Sequence, residues 1–137
     1  MNIIDMKLMR YINLLDRISR VKTRKCFVYN EVIIFAVPRS MISQALGPGA
    51  SNIRRLQEQL GKRIRVISEP RGMEDAPNFV RDVVSPIRFK SLEIKEGMFV
   101  LNAGSTSKAA LIGRNKKRLE ELRQIMLNNF GIELKIV

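Results

Sequence analysis

An α+β protein built from two copies of one αββααβ unit is what this sequence predicts, and three observations carry that prediction. The octet Leu46-Gly47-Pro48-Gly49-Ala50-Ser51-Asn52-Ile53 is answered by Ile112-Gly113-Arg114-Asn115-Lys116-Lys117-Arg118-Leu119. Each is an apolar residue, a glycine, a run of polar or small residues, and an apolar residue opening a helix. Around both octets the hydrophobic spacing runs through the same order: helix, strand, strand, short helix, longer helix, strand. Pro70-Arg71-Gly72 is the Pro/Gly break between two complete packets of elements. The expected units are therefore residues 1–72 and 73–137.

In the first unit, Ile4, Leu8, Tyr11, Ile12, Leu15 and Ile18 recur at helical spacing, which predicts a helix over roughly 3–20. Cys26 to Tyr29 and Val32 to Val37 read as a hairpin around Asn30-Glu31, with Pro38 ending the second strand. Ser40 to Leu46 is a short helix that Gly47-Pro48-Gly49 cannot continue. Ser51 or Asn52 is placed to cap the next helix, whose stripe is Ile53, Leu56 and Leu60 and whose stop is Gly61. Ile64, Val66 and Ile67 mark the third strand. The second unit repeats this. Residues 74–84 form a helix on Phe79, Val80, Val83 and Val84, and Ile87 to Ile94 and Met98 to Leu101 are strands around Glu96-Gly97. Lys108 to Ile112 is a short helix, a longer one carries Leu119, Leu122, Ile125, Met126 and Phe130 up to Gly131, and Ile132 to Val137 closes the unit as a strand.

The chain holds 137 residues with 25 Lys or Arg, 13 Asp or Glu and no His, a net charge of +12. A field of that sign favours a polyanionic partner. With no His, and Cys26 alone, one chain cannot assemble a Ser–His or Cys–His nucleophile, imidazole acid–base chemistry or an ordinary zinc site. No disulfide forms within it, which fits a reducing cytosol. There is no Walker-type phosphate loop, so no enzyme, cofactor or metal is expected. The apolar run Val32 to Val37 suits a strand and is far short of the ~20 residues of a membrane span. Lys7 and Arg10 follow too soon after Met1 for a signal core. A soluble intracellular chain is expected. Aromatics are 6% with no Trp, so base stacking across a sheet face is not expected.

Two αββααβ units with a glycine loop between adjoining helices resemble tandem type II KH domains, whose loop pattern is apolar-Gly-x-x-Gly-x-x-apolar. A pair joined by almost no linker, opening directly on its first helix, resembles the archaeal NusA-like transcription termination and antitermination family over essentially the whole chain. The resemblance implies two three-stranded sheets, each packed by helices on one face. It implies a non-catalytic, monomeric, cytoplasmic factor in transcription regulation that binds single-stranded RNA of the nascent transcript, with RNA polymerase as protein partner. A KH loop clamps about four nucleotides of backbone by close approach. The RNA-binding residues so implied are Gly47, Pro48, Gly49, Ala50, Asn52, Arg54 and Arg55, and in the second unit Gly113, Arg114, Asn115, Lys116, Lys117 and Arg118. Two departures stand out. Ala50 and Lys116 occupy the pattern's second glycine, and Pro48 and Gly49 bring no charge where the other loop has Arg114 and Asn115. Lys116 offers phosphate a cation in return.

Without the resemblance, each loop reads as a helix stop and restart. Charge argues against that plain reading. Arg54, Arg55 and Lys116 to Arg118 stand in first helical turns, where the helix dipole disfavours cations unless phosphate arrives to neutralise them. Arg17, Arg20, Lys22, Arg24 and Lys25 form a further basic run that reads either as a solvated face or as an extended path for an acidic partner. Residues 1–72 carry 14 basic and 5 acidic side chains, and 73–137 carry 11 and 8. The first half therefore has the larger field although its loop is the less basic. Two other readings remain: a helix-turn-helix DNA binder, opposed by the strands bracketing each helix pair, and a protein-docking KH-fold module for polymerase or ribosome with both loops degenerate.

Overall fold

The computed structural model describes residues 5–137, and the expected opening of the first helix at Ile3 and Ile4 lies outside them. The chain divides into two compact units, Met1–Glu69 and Pro70–Val137, and each runs α, β, β, α, α, β.

In the first unit, α1 (Met6–Ser19) begins at Asp5, whose carboxylate accepts from the Lys7 amide at 2.8 Å, and ends at a left-handed Arg20. β1 (Lys25–Tyr29) and β2 (Val32–Val37) pair antiparallel, Tyr29 opposite Val32. Asn30 and Glu31 between them both take positive φ, 52° and 65°, giving the two-residue turn whose twist matches its strands. α2 (Ile42–Leu46), entered through a 3-10 turn at Arg39–Met41, and α3 (Ser51–Leu60) lead to β3 (Arg63–Ser68), which pairs parallel with β2. Parallel strands need a crossover rather than a tight turn. The crossover here is the helix pair itself, so the glycine loop lies inside it and both its helices are tied to the sheet.

Tyr11 and Leu15 of α1, Ala45 of α2, Ile53 and Leu56 of α3, and Cys26, Ile33, Phe35, Val37 and Ile64 of the sheet form one buried cluster. Leu15, Ile33, Phe35 and Leu56 are sealed from solvent. Each contributes about 2 kcal/mol by its burial. Ile34 and Ala36, which point to the other side of β2, are sealed as well. A strand buried on both faces needs no polar alternation, which is why it reads as an unbroken apolar run.

Burial pushes the Cys26 thiol up to about 12. The thiolate is the reactive form. We therefore expect Cys26 to resist Ellman's reagent at pH 8 in the native chain and to react only as the first unit opens. Rapid stoichiometric labelling of the folded protein would contradict this.

In the second unit, a 3-10 turn at Met73–Asp75 leads into α4 (Ala76–Val84), followed by β4 (Ser91–Lys95) and β5 (Met98–Asn102). α5 (Lys108–Ile112), α6 (Lys117–Phe130) and β6 (Leu134–Ile136) complete it. β4 and β5 are antiparallel about the Glu96-Gly97 turn, and β5 and β6 are parallel. The Phe130 ring meets Phe79 and Phe99 edge-on, with centroids 5.7 and 5.5 Å apart. Arg123 of α6 donates to both Glu133 oxygens at 3.0 and 3.1 Å and to Glu120 at 2.7 Å, which holds the Glu133 carboxyl below its ordinary range.

The strand expected from Ile87 begins four positions later, at Ser91. The Ile87 amide still donates to the Val84 carbonyl at 2.9 Å, so the chain is turning off α4 at that point. The closing strand is also shorter than expected, since its first paired residue is Leu134.

Candidate nucleic-acid interface

Both crossovers break at a glycine, and the two breaks share one backbone. Gly47 has φ 77° and ψ 169°, and Gly113 has 76° and 172°. Gly49 and Asn115 sit at 58°, 30° and 55°, 29°. Ala50 and Lys116 sit at 60°, 28° and 61°, 21°. The Ala50 amide donates to the Gly47 carbonyl at 3.0 Å, and the Lys116 amide to that of Gly113 at 3.2 Å. The two loops thus share one backbone although neither carries the second glycine of the pattern. A left-handed conformation costs an L-residue about 1–2 kcal/mol, and both units accept that cost.

The two replacements differ in what their side chains meet. The Ala50 methyl packs against the core of its unit. Lys116 is exposed. In the first loop the residue at the glycine position thus serves the fold, and in the second it presents a cation.

Two of the expected site residues turn out to hold the helix pairs together. Asn52 Nδ2 donates to the Gln44 carbonyl at 3.1 Å, and an Arg118 guanidinium nitrogen donates to the Ala110 carbonyl at 3.0 Å. Asn52 and Arg118 stand at equivalent places, each reaching across the break to a carbonyl three residues before the glycine. Each satisfies a carbonyl left open at the end of the short helix. Neither Ser51 nor Asn52 caps α3: the cap position is Ala50, with no side-chain bond. Gln44, which the sequence did not single out, also donates to the Ser19 carbonyl at 3.0 Å and so ties α1 to α2.

The cations are distributed differently in the two units. Arg54 donates to the Gly49 carbonyl, which fastens its guanidinium onto the loop, and Arg55 is exposed beside it. Pro48 and Gly49 are exposed and uncharged. In the second unit Arg114, Lys116 and Lys117 are exposed and make no ion pair with a described residue. The places corresponding to Arg54 and Arg55 hold Glu120 and Glu121. The second loop therefore concentrates its positive charge on the break itself, and the first sets its charge one turn into α3. A chain of exposed backbone with adjacent cations fits phosphate, and the Gly-only opening conformation keeps that backbone free of a Cβ.

Among the described residues, no helix is long and apolar enough to cross a membrane, and no group of His, Cys, Asp and Glu is placed to hold a metal ion.

Residues 32–81 match the KH domain family. A probable transcription termination protein NusA of Methanocaldococcus jannaschii is 22% identical over 92% of this chain and 70% of its own length. A probable transcription termination protein NusA of Halococcus morrhuae is 23% identical over 91% of this chain and 90% of its own. The crystal structure of APE1850 superposes with a TM-score of 0.66 at 27% identity, covering 98% of this chain and all of that one.

Proposed function

We propose that the chain is an archaeal NusA-like protein of KH-type units, and that it is a non-catalytic factor that binds single-stranded RNA during transcription termination or antitermination in the cytoplasm. Its ligand is the nascent transcript and its protein partner is RNA polymerase. The observation that carries this reading is the pair of loops with one Gly-opened backbone, the second bearing three exposed cations without partners among the described residues. Gly47 to Ala50 with Arg54 and Arg55, and Gly113 to Lys117, are the groups that meet the strand. Asn52 and Arg118 act behind them by fixing the angle of the helices.

Anisotropy titrations with single-stranded RNA, duplex RNA and duplex DNA at several salt concentrations test it. Single-stranded RNA is expected to bind tightest. If about six phosphates are met, log affinity falls against log salt with a slope of about −4. A salt-independent affinity, or a preference for duplex DNA, overturns the reading in favour of a helix-turn-helix reader. No binding to any nucleic acid leaves a protein-docking KH fold in its place.

A further inference from the structure

A hollow of about 420 Å³ lies where α4 gives way to β4, lined by Arg81, Ser85, Pro86, Ile87, Arg88 and Phe89. It falls in the size range of small-molecule pockets, about 300–1,000 Å³. Two of its six lining residues are arginines and none is a carboxylate. Arg88 is exposed and makes no hydrogen bond or ion pair with a described residue. Arg81 gives one nitrogen to Asn78 Oδ1 at 2.8 Å and keeps further donors. The Phe89 ring is half-buried, whereas Phe79 and Phe99 of the same unit are sealed in the core.

The first unit serves as an internal control. Lys25 pairs with Ala36 as Ser91 pairs with Asn102, so Thr23 corresponds to Phe89 and Lys22 to Arg88. The Thr23 hydroxyl donates to the Ala36 carbonyl and accepts from the Lys25 amide at 3.0 Å, which clasps the chain to the sheet. In the second unit the equivalent carbonyl, that of Asn102, is taken by the Lys90 amide at 2.7 Å. Backbone alone makes the clasp there. Position 89 is released from it and carries an aromatic ring between two basic residues instead.

We propose that this hollow binds one unpaired nucleotide, its base against Phe89 and its phosphate on Arg88 and Arg81. Stacking on an aromatic ring is how single bases are held without regard to sequence. Guanidinium groups match the phosphate oxygens in paired hydrogen bonds, and no acidic side chain lines the hollow to repel them. Two sources offer this chemistry: a residue of an RNA strand and a free mononucleotide. The first source rests on the RNA reading above, and the second does not.

The test follows backbone amide shifts of the full ¹⁵N-labelled chain during titration with an unstructured RNA octamer, with adenosine monophosphate, and with tetraglutamate. Movement of the Ile87 to Lys90 amides by the octamer alone supports the site and names the strand as its source. Movement by the mononucleotide supports it for nucleotides at large, whether or not the octamer binds. No movement with either, or equal movement with tetraglutamate, overturns it. Phe89→Leu keeps the apolar volume and removes the ring face, and its expected effect on octamer affinity is a loss of about tenfold. If Arg114→Asp weakens RNA binding while Phe89→Leu leaves it unchanged, the loop reading stands and a strand source for the hollow fails.

Discussion

Gly47→Ala lowers the stability of the first unit by about 3 kcal/mol, while Gly49→Ala, two residues on, costs about 1 kcal/mol. The difference comes from where each glycine sits. At φ 77° and ψ 169°, Gly47 occupies a region that is essentially closed to residues with a Cβ. A Cβ there also falls 2.8 Å from the Asn52 side chain and 2.9 Å from the Ser51 hydroxyl. Asn52 must then leave, and the Gln44 carbonyl loses its donor, worth about 1 kcal/mol. Gly49 stands at 58° and 30°, a left-handed conformation that alanine enters with modest strain, and a Cβ there meets nothing within 4 Å. Gly113→Ala should match Gly47→Ala, since its Cβ would lie 2.9 Å from Arg118 Cγ and 3.1 Å from the Arg118 backbone nitrogen. For a unit of this size each kcal/mol moves the thermal midpoint by about 4–8 °C. Urea and heat denaturation followed by circular dichroism check the ranking. Equal losses for Gly47→Ala and Gly49→Ala would contradict it.

Reversing two charges at the second loop has the opposite sign on stability and a large effect on binding. Arg114→Asp with Lys117→Asp is expected to weaken single-stranded RNA binding about 25-fold at 0.1 M salt, because each lost phosphate contact forfeits about fivefold through counterion release. The same pair is expected to leave the fold intact or to raise its stability by about 0.5 kcal/mol, since Lys117 begins α6 and acidic groups suit the positive end of a helix. A structural role for these cations predicts the reverse on both counts. Pro48→Asp with Gly49→Asp removes no cation and should weaken binding less. Local charge decides this, because screening confines each loop's field to about 8–10 Å. If Pro48→Asp with Gly49→Asp abolishes binding while Arg114→Asp with Lys117→Asp leaves it unchanged, the ranking of the loops is wrong. If neither pair matters, the docking reading replaces the RNA reading for both.

Much of this architecture was legible because local chemistry and long-range order agree. The Asn30-Glu31 and Glu96-Gly97 turns stand between strands whose spacing already asked for hairpins, and the duplicated octet located both loops. What stayed hidden depended on contacts without a local pattern. Ile87 and Phe89 alternate with polar residues as strand residues do, yet the Ile87 amide is bound to the end of α4. Asn52 and Arg118 read as polar residues at a candidate binding loop, and only the fold brings them to carbonyls eight residues back. The inward methyl of Ala50 was equally invisible, since a residue at a glycine position reads first as an obstacle to a ligand. Side chains that reach across a helix break leave no period in the sequence to detect.

The strand buried on both faces has a consequence outside the native state. Val-Ile-Ile-Phe-Ala-Val at 32–37 combines six apolar residues of mostly high β propensity with no charge and no proline, the composition of a segment that self-associates edge to edge. In the folded protein both its edges are occupied, by β1 on one side and β3 on the other. Glu31 before it, and Pro38 and Arg39 after it, place a charge, a ring without an amide hydrogen and a second charge at its ends, as gatekeepers against aggregation do. The chain's resistance to aggregation thus rests on the first unit staying closed, with those three flanking residues and the high net charge as its defence whenever it opens.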